Sequence, residues 1–209
     1  MTGTVLVADD HPLFRQALRL AVEKILPEAA IAEAGTLATA VAAATAAPDL
    51  RLILLDLKMP GATCYSGIAL LHAECPDVPI LVVSSAEGAA AADEARAFGA
   101  IGFLHKGSDL GAIEAAVAAA IGRRSAPRSP APDSATDEIR ETVASLTPTQ
   151  LKVLLAVLGG QLNKQIAHNL GISEATVKAH MTAIMRKLDV RNRTQAALVA
   201  RSLGLDLAH

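Results

Sequence analysis

Unbroken apolar runs alternate with longer amphipathic stretches along the first half of the chain. Val5-Leu6-Val7-Ala8, Leu52-Ile53-Leu54-Leu55, Ile80-Leu81-Val82-Val83 and Ile101-Gly102-Phe103-Leu104 are the clearest runs. They predict strands near 4–8, 51–55, 79–83 and 101–104, with a further strand near 30–34. The stretches between them predict helices near 12–26, 36–46, 66–74, 88–98 and 109–121. Regular β-α alternation implies parallel strands with helices on both faces. Runs without polar alternation suit strands buried on both sides. Beyond residue 146 the pattern turns wholly helical. Thr147 can cap a helix that has Pro148 in its first position and Gln150 to complete a capping box. Leu151, Leu154, Leu155 and Leu158 then form one stripe, stopped by Gly159-Gly160. Further helices are predicted over about 163–170, ending at Gly171, over 174–188, capped by Ser173, and over 192–203.

Between the two patterns, Arg123–Asp137 reads RRSAPRSPAPDSATD, with no hydrophobic period. That composition is a linker signature. The 209 residues therefore divide into a domain over 1–122, a flexible linker over 123–145 and a small all-α domain over 146–209. Five β-α units in the first domain match a doubly wound, five-stranded, flavodoxin-like parallel sheet. Charge changes at the same border. The overall net charge is −2, but residues 1–122 hold 7 Lys/Arg against 14 Asp/Glu, or −7, while residues 146–209 hold 8 against 3, or +5. An acidic half beside a basic half predicts a nucleic-acid-binding domain joined to a domain of another kind. Two cysteines, Cys64 and Cys75, are too few for a disulfide framework. No apolar run approaches the roughly 18 residues of a membrane span, and the first strand pattern begins at once, without a signal peptide. A soluble cytoplasmic protein with no membrane partner is expected.

Polar residues stand at the ends of the apolar runs. Asp9-Asp10 close the first, and Asp56, Ser84 and Lys106 follow three others. In an open parallel sheet these ends converge on one crevice, where ligands bind. Paired carboxylates facing a cleft repel each other and are best reconciled by a cation, and hard oxygen donors favour Mg²⁺. The alternative is a solvated turn or a cap on the helix that begins at Pro12. The Asp56 carboxylate can attack phosphorus to form an aspartyl phosphate, with Mg²⁺ neutralising the incoming oxygens. By itself it reads equally as a strand-terminating Asp. Lys106 supplies a point charge for a phosphoryl oxygen and Ser84 a hydroxyl. Taken singly, each is an ordinary surface or strand-end residue.

In order and spacing, residues 4–121 resemble the receiver domain of bacterial two-component response regulators. The resemblance implies that a histidine kinase phosphorylates Asp56, that Asp9, Asp10 and Asp56 hold Mg²⁺, and that Lys106 and Ser84 contact the phosphoryl group. It also implies that Ser84 and Phe103 move together as a switch, a population shift between two states that the phosphate binds unequally. Phe103 also fits an ordinary core position. One departure stands beside the site: Gly61–Gly67 is longer than the family's usual loop. Tyr65 in that loop is expected either over Asp56 or facing solvent, and Lys58, two residues past Asp56, can affect phosphate lifetime. His105 reads as a partly exposed strand-end residue rather than a ligand.

Residues 163–188, NKQIAHNLGISEATVKAHMTAIMRKL, spell a short helix, a turn and a longer basic helix. This is a helix-turn-helix, whose second helix enters the DNA major groove. A surface helix in a small bundle is the blander reading. Ile166, Ala167, Leu170, Ile172, Val177, Ile184 and Leu188 make a plausible core, leaving Glu174, Thr176, Lys178, His180, Met181 and Thr182 outward. Leu146-Thr147-Pro148, Asn163-Lys164-Gln165-Ile166-Ala167, Thr176-Val177-Lys178-Ala179-His180 and Leu188 resemble the LuxR-type domain of NarL/FixJ regulators over about 146–202. The resemblance implies that Lys178 and Thr182 face DNA. Thr176 and Lys164 suit phosphate contacts, and Arg186, Lys187, Arg191 and Arg193 add nearby positive charge. Ala196, Val199 and Ala200 of the last helix would meet a second copy, unless they only pack on their own domain. Two positions depart from the family: Thr182, where several members have lysine, and Gln150, where glutamate is usual. Gln150 keeps the capping box but removes a charge that could pair with a basic residue.

These features predict a transcription factor, not an enzyme, that is phosphorylated on Asp56 and binds double-stranded promoter DNA as a homodimer. A phosphatase using Asp56 as nucleophile would want a second acid two residues on, where Lys58 stands. DNA binding without phosphorylation is the third reading, and the intact acidic site argues against it.

Overall fold

In a computed structural model the chain divides into two units, one running to Pro130 and the other from Ala131. The structure describes residues 3–62, 65–85, 89–121 and 145–202, together with Thr142 and Leu205. The predicted linker over 123–145 lies almost wholly outside those residues, as does Cys64.

The first unit runs β1 (Thr4–Ala8), α1 (Pro12–Ile25), β2 (Ala30–Ala34), α2 (Leu37–Ala46), β3 (Leu50–Leu55), α3 (Ser66–Glu74), β4 (Ile80–Ser84), α4 (Ala89–Ala97), β5 (Gly102–His105) and α5 (Leu110–Ile121). The sheet has five strands in the order β2-β1-β3-β4-β5, every pair parallel. This is the doubly wound architecture expected from the alternation of elements. The apolar runs become strands because both faces of the sheet are covered. Alternate residues point to opposite faces. Val5, Val7, Leu52, Leu54, Leu81 and Val83 meet Leu18, Ala21 and Val22 of α1 and Ile113 and Val117 of α5. Leu6, Ile53, Leu55, Ile80 and Val82, also fully buried, point the other way, toward the side of α2 and α3. The edge strand β2, Ala-Ile-Ala-Glu-Ala, is largely open, with only Ala34 buried. The crossover from β1 runs through α1 to β2 on one side, and the next returns from β2 through α2 to β3 on the other side of β1. The crevice past the C-terminal ends of β1 and β3 is thus the topological switch point.

The second unit holds α6 (Pro148–Leu158), α7 (Asn163–Leu170), α8 (Glu174–Lys187) and α9 (Arg193–Ser202). Thr147 and Gln150 form the expected capping box on α6, and the Ser173 hydroxyl accepts from the Thr176 N–H at the start of α8. Gly171 takes a left-handed φ of 65° between α7 and α8, a conformation that glycine adopts without strain. Its N–H reaches back to the Ala167 and His168 carbonyls and closes α7. Val177, Met181, Ile184 and Leu188 place one face of α8 in the core with Leu151, Leu154 and Ile166. Met181 therefore faces inward, contrary to the sequence reading, and Leu170 and Ile172 are only half-buried.

Candidate functional site

The backbone ladder extends one residue past three strands, and this fixes where their side chains emerge. The Asp9 N–H donates to the Ala34 carbonyl at 3.0 Å, the Asp56 N–H to Ala8 at 2.8 Å, and the Lys106 N–H to Ser84 at 2.8 Å. Asp9 and Ser84 are fully buried and Asp56 is 2% exposed. The Lys106 ammonium lies 2.6 Å from Asp9 Oδ2 and 2.7 Å from Asp56 Oδ2. It also sits 5.0 Å from the centre of the Phe14 ring, a favourable cation–π position. Burial opposes the lysine charge, but hydrogen bonds and charge from Asp56 and Asp9 outweigh it and hold the Lys106 pKa above the ordinary lysine value.

Asp9, Asp10, His11 and Asp56 each offer a ligand atom, all within 4.8 Å of one another. Asp9 Oδ2 has the Lys106 ammonium at 2.6 Å and Asp10 Oδ1 has His11 Nδ1 at 2.7 Å. Three carboxylates gathered in one crevice are a hard oxygen donor set that fits a divalent cation such as Mg²⁺. The remaining oxygens are held by the backbone: Asp56 Oδ1 accepts from the Lys58 N–H at 3.1 Å and Asp9 Oδ1 from the His11 N–H at 2.8 Å. The Arg15 guanidinium donates to the Asp9 carbonyl at 2.6 Å and to Glu33 Oε2 at 3.3 Å, which ties α1 to the crevice. His11 and Arg15 were not singled out from the sequence.

Phe103 stands opposite Val82 in the β4–β5 register and is half-buried, next in line to Ser84. Tyr65 takes neither position expected of it. Its ring stacks on Phe98, centroids 5.6 Å apart and planes within 6°, at the end of α4. His105 is half-buried and its Nδ1 accepts from the Gly107 N–H at 3.0 Å, as befits a strand-end residue.

In the second unit, Lys164, Thr176, Lys178, Thr182 and Arg186 are all exposed. The Thr176 and Ser173 hydroxyls lie 2.8 Å apart, so Thr176 takes part in the cap of α8. Lys187 is turned inward: its ammonium donates to the Ser145 carbonyl at 2.9 Å and to Gln150 Oε1 at 3.1 Å. The basic partner that a glutamate at 150 would find is thus Lys187. Arg193 likewise donates to Asn163 Oδ1 at 3.0 Å and to the Gln161 carbonyl. On α9, Ala196 and Ala200 are fully buried in their own domain, Val199 is half-buried, and Leu198 is 58% exposed.

Two family models match this chain. The response regulator receiver domain covers residues 5–118, and the luxR family of bacterial regulatory proteins covers residues 144–200. The chain is a response regulator of the LuxR family. As such it is the DNA-binding member of a two-component system. The response regulator is 37% identical over 208 residues to the glycerol metabolism activator of Pseudomonas putida, with 94% of each chain covered. It is 32% identical over 205 residues to the nitrate/nitrite response regulator protein NarP of Escherichia coli (strain K12), with 93% of each covered. The solved complex of the response regulator RcsB with DNA shares its fold, with a TM-score of 0.53 at 22% identity over 97% of this chain and 99% of that one. No helix among the described residues is long and apolar enough to cross a membrane.

Proposed function

We propose that Asp56 is the phosphoacceptor of this response regulator and that its phosphorylation by a histidine kinase controls DNA binding by the second domain. One observation carries the reading: a single ammonium, Lys106, joins two buried carboxylates, Asp9 and Asp56, at the switch point of the sheet. Ordinary structural residues would not leave two buried carboxylates to one lysine. In the transfer, the nitrogen–phosphorus bond of the donor phosphohistidine breaks and a bond forms from an Asp56 oxygen to phosphorus. The released imidazole takes up a proton. Lys106 can pass from the Asp56 carboxylate to a phosphoryl oxygen with little movement, and the Ser84 hydroxyl is within the same crevice. Asp9, Asp10 and Asp56 would hold Mg²⁺, which offsets the charge of the incoming group when bound. Ser84 and Phe103 form the switch pair: a Ser84 that turns toward the phosphate frees room for Phe103, which is only half-buried on β5.

On the DNA side, Lys178 and Thr182 face the base edges, while Lys164, Thr176 and Arg186 meet phosphates. Lys187 contributes charge from its inward position. A homodimer reads paired half-sites in promoter DNA. Because Ala196 and Ala200 are buried in their own domain, Val199 and the neighbouring exposed Leu198 are the larger apolar α9 residues left for a second copy. The chain acts in the cytoplasm, where its kinase and its DNA are found. Intact mass after incubation with acetyl phosphate and Mg²⁺ tests the phosphoacceptor. Wild type should gain one phosphoryl group and Asp56→Asn none. An equal gain in both would remove Asp56 from the role.

A further inference from the structure

We infer that a groove along the outer face of α7 takes a backbone phosphate of DNA, and that His168 completes it as a second cation beside Lys164, so that DNA binding takes up a proton. The inference rests on the reading of Lys164 as a phosphate contact. Gln161, Lys164, Gln165, His168 and Asn169 line the groove. Lys164 and His168 stand one helical turn apart, so their side chains rise from one face with Cβ atoms about 5–6 Å apart. Both are exposed, and neither side chain has a hydrogen bond or an ion pair with another described residue. The rest of the groove is fixed. Asn169 Nδ2 donates to Gln161 Oε1 at 3.0 Å, the Leu162 N–H donates to Gln165 Oε1 at 2.7 Å, and Arg193 donates to the Gln161 carbonyl. These bonds shape a polar surface and leave its two basic side chains without an internal partner.

The charges around the groove point to an anion. No carboxylate lines it. The charged residues of α8 (Glu174, Lys178, Arg186, Lys187) and of α9 (Arg193, Arg201) are absent from its lining as well. A concave surface with two basic side chains and no acid attracts negative charge. In a helix-turn-helix the first helix crosses the DNA backbone while the second enters the major groove, and α7 is that first helix. The anion it meets is therefore a phosphodiester, whose contacts set affinity and register for any sequence. Histidine is the side chain that ordinarily changes charge between about pH 5 and 8. A phosphate beside the ring favours the protonated form. A proton is then gained as the complex forms, and DNA affinity rises as pH falls.

The test is fluorescence anisotropy of the full chain on a labelled duplex selected from a random pool by the phosphorylated protein. Salt series are run at about pH 6 and about pH 8, for wild type, His168→Gln, His168→Arg, His180→Gln and Lys164→Ala. In wild type, binding should be tighter at the lower pH, and the slope of log affinity against log salt should be steeper there by about 0.9 for each domain bound. His168→Gln should lose that difference and behave at both pH values like wild type at the higher one. His168→Arg, with its permanent charge, should keep the steep slope at both. His180→Gln, which alters the half-buried histidine of α8, should retain the difference. Lys164→Ala should lower the slope at both pH values. A pH-dependent slope that survives in His168→Gln, or none in wild type, would overturn the inference; a slope still lowered by Lys164→Ala would leave the phosphate reading of Lys164 standing. An unchanged slope in Lys164→Ala would overturn that reading and the groove with it.

Discussion

Lys106 is the residue on which the receiver site turns. It is the cation shared by the buried Asp9 and Asp56, and its removal leaves two carboxylates facing each other. Lys106→Met keeps the stem and deletes the charge. Breaking one side of a buried ion pair typically costs about 3–5 kcal/mol, and the metal-free variant should lose stability on that order in urea unfolding. Mg²⁺ should restore part of the loss, because a cation answers the same repulsion. The pH dependence follows from the raised lysine pKa. Its contribution is complete below the ordinary value of 10.5 and disappears as pH rises through the raised one. Wild type should therefore lose stability above about pH 10.5, more steeply than Lys106→Met. Asp9, Asp56 and Lys106 were legible in the sequence because each closes an apolar run, and a parallel sheet gathers such ends. His11 was not legible: beside Pro12 it reads as the start of a helix, and only the fold turns its ring back over the acidic pair.

At the scale of the element, α8 separates packing from recognition within one turn. Adjacent helical residues lie about 100° apart, so the buried Met181 and the exposed Thr182 belong to different faces. Met181→Ala should destabilise the second domain by roughly 2–5 kcal/mol and weaken DNA binding only through folding. Thr182→Ala should leave the melting temperature nearly unchanged and alter DNA affinity. Thermal unfolding beside a binding isotherm distinguishes the two. The inward place of Met181 could have been found, since Val177, Met181, Ile184 and Leu188 keep a helical period; its neighbour His180 obscured the phase. The tie between α6 and α8 makes a second case. Lys187 bonds to the neutral Gln150, and a hydrogen bond between two charged groups is worth more than one with a neutral acceptor. Gln150→Glu should therefore stabilise the domain by about 1 kcal/mol, read in the same unfolding experiment, without loss of the capping box. The Tyr65–Phe98 stack lay beyond sequence reading, because its rings come from a loop and a helix end that only the packed fold brings together.

On the scale of the whole molecule, the division of charge carries the division of labour. The receiver carries −7 and the DNA-binding domain +5, so attraction to a polyanion falls on the second unit. Element order and charge asymmetry were legible because they are properties of long stretches. The segment that joins the units falls almost wholly outside the described residues and stays a sequence-level expectation. Exposed Lys164 is a phosphate contact in this account. Lys164→Ala should lower affinity for all sequences alike and reduce the slope of log affinity against log salt by about 0.9, measured by fluorescence anisotropy over a salt series. The central claim is that phosphate on Asp56 governs DNA binding. It is tested most directly by the affinity of the full chain, at one fixed salt concentration, for a duplex selected from a random pool by the phosphorylated protein. Acetyl phosphate with Mg²⁺ should tighten binding of wild type and leave Asp56→Asn unchanged; equal affinity of wild type with and without the phosphodonor, in samples whose mass shows phosphorylation, would contradict it.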